Sequence, residues 1–353
     1  MDSQNTRLPV YAYVSPEQAQ RFAESTAKGA YDLGPAETFW RDRQPYLEQH
    51  GYMLRARYKQ NWRPSWLGTS RDPIFCEDSI MLSDHNVIDA TRQQDGALVS
   101  IKTTKKDGDE IPIATYLSSS GLLDDPTNHN VPILEVLPDP LNNQLSLIVM
   151  PYLRPFDDPA FGAIGEVVDF IQQSLGGLCF LHRHRIAHRD CAAANIMMDG
   201  RPLFPNGHHP VRLRYSTDGV YELGPLSRTE HPVRYYFIDF GISSRFSEGA
   251  SSHVVGRQAR DKDVPELSSN VPYDAFKVDI FTLGNLYDKE FQPDRRPSAQ
   301  EALDLFEDIR ARLNSVLLRW RLRPRNESPP ERVLYDSLAV AREGIYHLKR
   351  LVT

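Results

Sequence analysis

The order of apolar patterns along this chain predicts an α+β fold in two parts, strands first and helices after. Short apolar runs bounded by turn residues occupy Val87–Ala90, Ala97–Ile101, Val131–Leu137 and Leu145–Met150. Past Pro155-Phe156-Asp157-Asp158-Pro159 the period changes. Val168, Ile171, Leu175, Leu178 and Leu181 recur at helical spacing and mark one apolar face. A third observation links the halves to chemistry. Two polar motifs each follow an apolar run: His188-Arg189-Asp190-Cys191-Ala192-Ala193-Ala194-Asn195 after the helix, and Asp239-Phe240-Gly241 after Tyr235–Ile238.

Residues 1–62 read as a polar N-terminal extension with a short helix at Trp40-Arg41-Asp42-Arg43, and Arg63 to Pro73, rich in Pro, Trp, Gly and Ser, reads as an irregular loop. The strand-rich part is 63–153. Its first two strands flank Gln93-Gln94-Asp95-Gly96, where Asp-Gly marks a hairpin turn because Gly accepts positive φ. Residues 154–312 form the helical part, interrupted at about 201–234 by an insert that reads as a surface loop or hairpin. The tail at 313–353 has apolar residues at helical spacing from Val333 to Leu348.

With 353 residues, 40% hydrophobic and 25% charged, the chain has the composition of a soluble globular protein. A net charge of −6 gives no global attraction to nucleic acid or an anionic membrane. Three scattered cysteines, Cys76, Cys179 and Cys191, make no disulfide framework. The first residues lack the basic and apolar regions of a secretory signal, and no apolar run is long enough to span a bilayer. The expected compartment is cytoplasm or nucleus.

Two carboxylates and an amide, spaced as Asp190, Asn195 and Asp239 are, supply what phosphoryl transfer requires. One acid receives the acceptor proton; the second acid and the amide hold Mg²⁺. H-R-D-x-x-x-x-N followed by D-F-G resembles the eukaryotic protein kinase family over roughly residues 75–310. Phrases such as Arg154-Pro155-Phe156-Asp157-Asp158-Pro159 and Tyr236-Phe237-Ile238-Asp239-Phe240-Gly241 are similar to those of an expanded kinase-like group in basidiomycete fungi. The resemblance implies a two-lobed fold with a β-rich N-lobe and a helical C-lobe, binding ATP and Mg²⁺.

Residue by residue, it implies Asp190 as base, Asn195 and Asp239 as Mg²⁺ ligands, and Lys102 of Val99-Ser100-Ile101-Lys102 on the ATP phosphates. Glu110 would pair with Lys102 from the start of a truncated helix, with Pro112 in its first turn. Met150 would be the gatekeeper, and the Pro151 carbonyl and Leu153 N–H would meet adenine. Read from its residues alone, the same stretch is a buried edge strand with a turn. His188 would brace the Phe240–Gly241 region, and Arg189 would respond to phosphate on the activation segment. Ser243, Ser244, Ser247, Ser251 and Ser252 lie in that segment, with none favoured. Pro265-Glu266-Leu267 resembles its closing motif, with Val264 replacing Ala. Asp279 would tie down the catalytic loop, and Arg296 would pair with Glu266.

The pattern fails in four places. No G-x-G-x-x-G precedes Lys102, although such a loop lets backbone approach phosphate closely. Ala192, Ala193 and Ala194 stand where kinases carry a Lys or Arg. The insert lengthens the step from Asn195 to Asp239. Arg296 follows Asp279 by only 17 residues, which means either a shortened late C-lobe or a defective gene model. Two other readings compete locally. Cys179, His182, His184, His188 and Cys191 form a metal site or simply a helix running into the loop. Arg319, Arg321, Arg323 and Arg325 around Trp320 form a nucleic-acid patch or a solvated helix end. Three functions stand: a protein serine/threonine kinase acting on a protein substrate, a pseudokinase working through a regulatory partner, and a small-molecule kinase.

Overall fold

A computed structural model describes residues 8–82 and 84–287, with the isolated positions 300, 303, 304 and 307. They form two compact units. The first draws on the described residues within Met1–Ile111, Ile133–Tyr152 and Phe204–Gly224, the second on those within Pro112–Pro132, Leu153–Leu203 and Pro225–Thr353.

In the first unit, α1 (Pro16–Ala27) opens with a reciprocal cap: Ser15 Oγ accepts from Gln18 N, and Gln18 Oε1 accepts from Ser15 N. Helix α2 (Pro35–Gln49) starts with Pro in the first turn, where no N–H is needed. Strands β1 (Tyr52–Met53), β2 (Val87–Arg92), β3 (Leu98–Lys105), β4 (Glu135–Pro138) and β5 (Leu145–Pro151) form an antiparallel sheet in the order β1-β2-β3-β5-β4. The register sets Ile88 opposite Ile101, Ala90 opposite Val99 and Ile101 opposite Val149. Because side chains alternate, these residues share one face, and α2 covers it with Trp40 and Leu47. Residues 35–58, expected within an extension, therefore supply part of this unit's core. Lys102 lies opposite Val87 and Ile148 and projects from the other face.

Two strand expectations change. The run Val131–Leu137 is strand only from Glu135 onward, because Pro132 lacks an N–H and separates two pairings. Val131 N donates to Phe237 O at 2.9 Å, whereas Leu134 N donates to Val149 O at 2.8 Å. β5 is an interior strand, since β3 and β4 flank it, and not an edge. The Asp95-Gly96 turn is as expected, with Gly96 at φ 73° and Arg92 N donating to Ala97 O at 2.8 Å.

Helix α3 (Glu110–Leu117) begins in the first unit and continues into the second, followed by α4 (Ser120–Leu123). The second unit holds β6 (Arg154–Pro155), α5 (Ile164–Arg183), β7 (Ile186–Ala187), β8 (Ile196–Met198) and β9 (Tyr235–Phe237). It continues through β10 (Ser244–Arg245), β11 (His253–Gly256), β12 (Ser268–Asp274) and α6 (Ala275–Leu286). The strands pair as β6-β8-β9, β7-β10 and β11-β12. Of the apolar face read from the sequence, Val168, Leu175, Leu178 and Leu181 are buried on α5 and Ile171 is half-buried. Gly177 lets this helix approach β9 closely: a Cβ there would stand 2.6 Å from His129 Cβ and 3.1 Å from the Phe237 ring. Among the described residues no helix is long and apolar enough to cross a membrane. Arg296, the cluster at 319–325 and the tail at 313–353 lie outside the described residues.

Candidate active site

Each unit assembles its own set of polar residues. In the first, Lys102 Nζ lies 2.5 Å from Glu110 Oε1, and Thr104 Oγ1 donates to Glu110 Oε2 at 2.6 Å. Glu110 is buried, as a carboxylate with two such partners can be. This is the pair expected from the sequence, and Glu110 opens α3 with Pro112 in its first turn. Met150 and Pro151 are half-buried at the end of β5; Leu153 is buried in the second unit.

Where a glycine loop would join β1 to β2, residues 54–86 run through three 3₁₀ turns, Ala56–Tyr58, Pro73–Phe75 and Glu77–Ser79. Polar side chains hold them. Arg57 bonds Glu37 through two nitrogens, at 2.6 and 3.0 Å. Asp78 accepts from Ser65 N, Ser65 Oγ and Trp62 Nε1 at 2.8, 2.6 and 2.9 Å. Arg55 Nη1 donates to Ile80 O at 2.8 Å and Glu77 at 3.2 Å, while its Nε stands 3.1 Å from Asp89 Oδ2. Burial pushes the Asp89 carboxyl up against the pull of Arg55. At Glu77 burial also opposes the charge, but His209 and Arg55 outweigh it and hold the carboxyl below the usual range.

His209 comes from the insert, which is more than a surface loop. Residues 204–224 pack within the first unit, and His209 is fully buried. Its Nδ1 accepts from Val211 N and Arg212 N at 3.0 Å, which leaves Nε2 to donate to Glu77 at 3.4 Å. Arg212 Nη1 reaches Ile74 O at 2.6 Å, and Pro210 O accepts from Tyr152 OH at 2.6 Å. The bridge between Tyr215 and Glu222 gives the insert the expected hairpin character.

In the second unit one buried carboxylate organises the loop at 188–195. Asp279 on α6 is fully buried and accepts from His188 N at 2.8 Å, Arg189 N at 2.5 Å and His182 Nε2 at 3.0 Å. Helix α6 starts where Asp274 caps Phe276 N, which fixes the phase that aims Asp279 inward. His188 accepts from Asp190 N on Nδ1 at 3.3 Å and donates from Nε2 to Ile238 O at 2.9 Å. Its ring centroid lies 5.2 Å from that of Phe240, which is buried.

Asn195 Nδ2 donates to Asp190 O at 2.9 Å and to Asp190 Oδ2 at 2.7 Å, so the amide turns its Oδ1 to the other side. Pairing of β8 with β9 sets Ile196 opposite Phe237, and Ile238 N donates to Asn195 O at 3.0 Å. The strand register thereby brings Asn195 to the start of Asp239-Phe240-Gly241. Arg189 and Asp239 adopt φ of 67° and 65°, a left-handed backbone that non-glycine residues rarely take. Both stand at motif positions with neighbouring contacts. Gly241 N donates to Asp239 Oδ1 at 3.3 Å. The Arg189 guanidinium meets Ser244 Oγ at 3.2 Å and Val255 O at 2.9 Å.

An oxygen-ligand set of Asn195 Oδ1 and a half-buried Asp239 fits Mg²⁺, which takes one or two protein carboxylates and completes its shell with phosphate and water. Among the described residues no group of three or more His, Cys, Asp or Glu is placed to hold a metal, the set Cys179, His182, His184, His188 and Cys191 included. Burial pushes the Cys179 thiol up to about 11 and raises Cys191 strongly, while His182 and His184 turn to Asp279 and Tyr116. Val264 and Leu267 pack with Tyr273 and Val278, and Glu266 is half-buried between them in sequence.

One neighbour was not legible in the sequence. Arg260 N donates to Asp190 Oδ1 at 2.7 Å, and Arg260 Nε stands 3.7 Å from Asp190 Oδ2. Seventy positions separate the two residues, and Arg260 lies among other charges with no local signal to single it out. Comparison with protein-family models and with curated proteins gives no match for this chain.

Proposed function

We propose that the chain is a protein-kinase-like phosphotransferase that moves the γ-phosphate of ATP to a serine or threonine hydroxyl of a protein. The observation that carries this reading is the catalytic loop: Asp279 anchors the His188 and Arg189 amides, and Asn195 orients Asp190 beside the strand leading to Asp239. The Lys102–Glu110 pair and the strand order of the first unit support it independently.

Bound Mg²⁺ and ATP supply an electrophilic phosphoryl group whose charge is partly neutralised. Asp190 accepts the proton of the acceptor hydroxyl, and its second lone pairs remain engaged by Asn195. Lys102 would orient the phosphates, itself positioned by the Glu110 carboxylate, which Thr104 holds in place. Asp239 and Asn195 would hold the metal ion, which would offset charge on the phosphates.

A binding module without turnover is the second reading. It is favoured by the Arg55–Glu77–Asp89 cluster where a glycine loop would be, and by the alanines at 192–194. Thermal unfolding of the full chain titrated with ATP and Mg²⁺, beside Asp239→Asn, tests nucleotide binding without a known substrate. A Mg²⁺-dependent rise in melting temperature lost in the variant is expected, because a ligand of the native state stabilises by mass action. No rise at millimolar ATP would overturn the phosphotransferase reading.

A further inference from the structure

We infer that Arg260 supplies the cation that the catalytic loop lacks, and that its guanidinium meets the phosphoryl group during transfer. The inference rests on the phosphotransferase reading and adds a catalytic residue to it. Cys191-Ala192-Ala193-Ala194 offers no positive charge beside Asp190. Phosphoryl transfer spreads negative charge over three equatorial oxygens, so a site with no cation at that place stabilises its transition state poorly.

Arg260 is built into position. Its own N–H is bonded to Asp190 Oδ1 at 2.7 Å, so its backbone cannot drift from the carboxylate without breaking that bond. Both flanks are anchored. Lys262 Nζ donates to Arg257 O and Ala259 O at 2.8 and 2.6 Å, Ala259 is buried, and Asn285 bonds the Asp261 carboxylate. The side chain, by contrast, is 59% exposed, and its Nε stands 3.7 Å from Asp190 Oδ2. That distance is beyond a hydrogen bond, so the guanidinium is attracted to the carboxylate without being locked on it. A fixed root and an accessible head suit a group that engages a bound ligand. Guanidinium carries five donors, no acceptor, and a charge that persists at any working pH.

In the step itself, the acceptor oxygen bonds the γ-phosphorus as the bond from that phosphorus to the bridging oxygen breaks. ADP leaves with that electron pair, and the hydroxyl proton passes to the Asp190 carboxylate. Arg260 donates to the equatorial oxygens and neither gains nor loses a proton.

The test uses the full chain and two readouts. The first is the thermal shift with Mg²⁺ and ADP, alone and with aluminium fluoride, an anionic mimic of the phosphoryl group in flight. The second is transfer from labelled ATP to the chain itself and to a serine-, threonine- and tyrosine-containing peptide library. Arg260→Ala is expected to keep the Mg²⁺–ADP shift, lose the aluminium fluoride increment, and transfer about 10²-fold more slowly. Arg260→Lys should retain part of both, and Ala192→Lys placed in Arg260→Ala should restore part of both by returning a cation to the loop. Should Arg260→Ala prove unfolded, Arg260→Gln serves in its place. An unchanged increment and rate, with Asp190→Asn inactive, would overturn the inference and leave the phosphotransferase reading intact. A wild-type chain with no Mg²⁺–nucleotide shift would overturn both, and that outcome is visible before any Arg260 variant is made.

Discussion

The loop at 188–195 and the connection at 54–86 solve one problem, holding irregular backbone in place, by opposite means. The loop's leading turn is gathered on one buried carboxylate, Asp279, which takes two consecutive amides and one imidazole. The connection is held by charges drawn from distant stretches: Glu37 on Arg57, Asp89 and Glu77 on Arg55, and His209 of the insert on Glu77. A concentrated device loses several contacts at once when its anchor is removed. A distributed one loses only the part that each partner holds, so the two regions differ in how they break.

Asp279→Ala tests the first half and carries the largest expected effect. Three donors lose a charged acceptor inside the protein, and each such hydrogen bond is worth about 1.5–3 kcal/mol. A loss of about 5 kcal/mol, comparable to the whole stability of many domains, is expected in urea unfolding. Loss of less than about 1 kcal/mol would show that the loop does not depend on this anchor.

Arg57→Met probes the connection and should cost less, about 3 kcal/mol, because it strands one buried charge and leaves the Asp78 and Arg55 groups in place. Its pH dependence identifies the cause. Burial works against the Glu37 charge, but the hydrogen bonds from Arg57 and the Gly34 and Leu82 amides outweigh it and hold the carboxyl below its ordinary 4.5. Glu37 therefore stabilises the wild type fully above pH 4.5, and that contribution fades as pH falls through the lowered value. Without Arg57 the balance tips toward burial, so the variant suffers most at neutral pH. Unfolding measured from pH 7 to 4 should show the gap between variant and wild type narrowing on acidification. A gap that stays constant would mean that packing, not charge, is lost.

These energies run against what the sequence made legible. His188 to Asn195, Asp239 and Asp279 stand out in the sequence because a loop fixed by few groups needs those residue types at fixed spacing. Lys102 and Glu110 were legible for a similar reason: one strand and the next helix bring them together. The Arg55–Asp89–Glu77–His209 cluster was not. Its members are pairs across long separations, any Arg with any carboxylate would leave the same trace, and no periodicity encodes the contact. Trp40 is illegible likewise, since a polar N-terminal stretch gives no sign that its few apolar residues cover the sheet. Arg260 combines both cases: its position is set by a backbone bond to Asp190, which no side-chain pattern reveals.

The smallest effect belongs to the most legible feature of the strand-rich half. Asp95-Gly96 announced the β2–β3 hairpin, and Gly96 indeed sits at φ 73° with nothing near its missing Cβ. Gly96→Ala meets no neighbour, so only the left-handed backbone opposes it, at about 1 kcal/mol. The hairpin also keeps its register through Ile88–Ile101 and Ala90–Val99, which the substitution leaves untouched. A variant that unfolds within about 1 kcal/mol of wild type would therefore place the turn where the comparison puts it, as a local signal that directs the chain without holding it. A loss as large as that of Arg57→Met would mean that the sheet's register depends on the turn, and that local and distributed devices are not separable here.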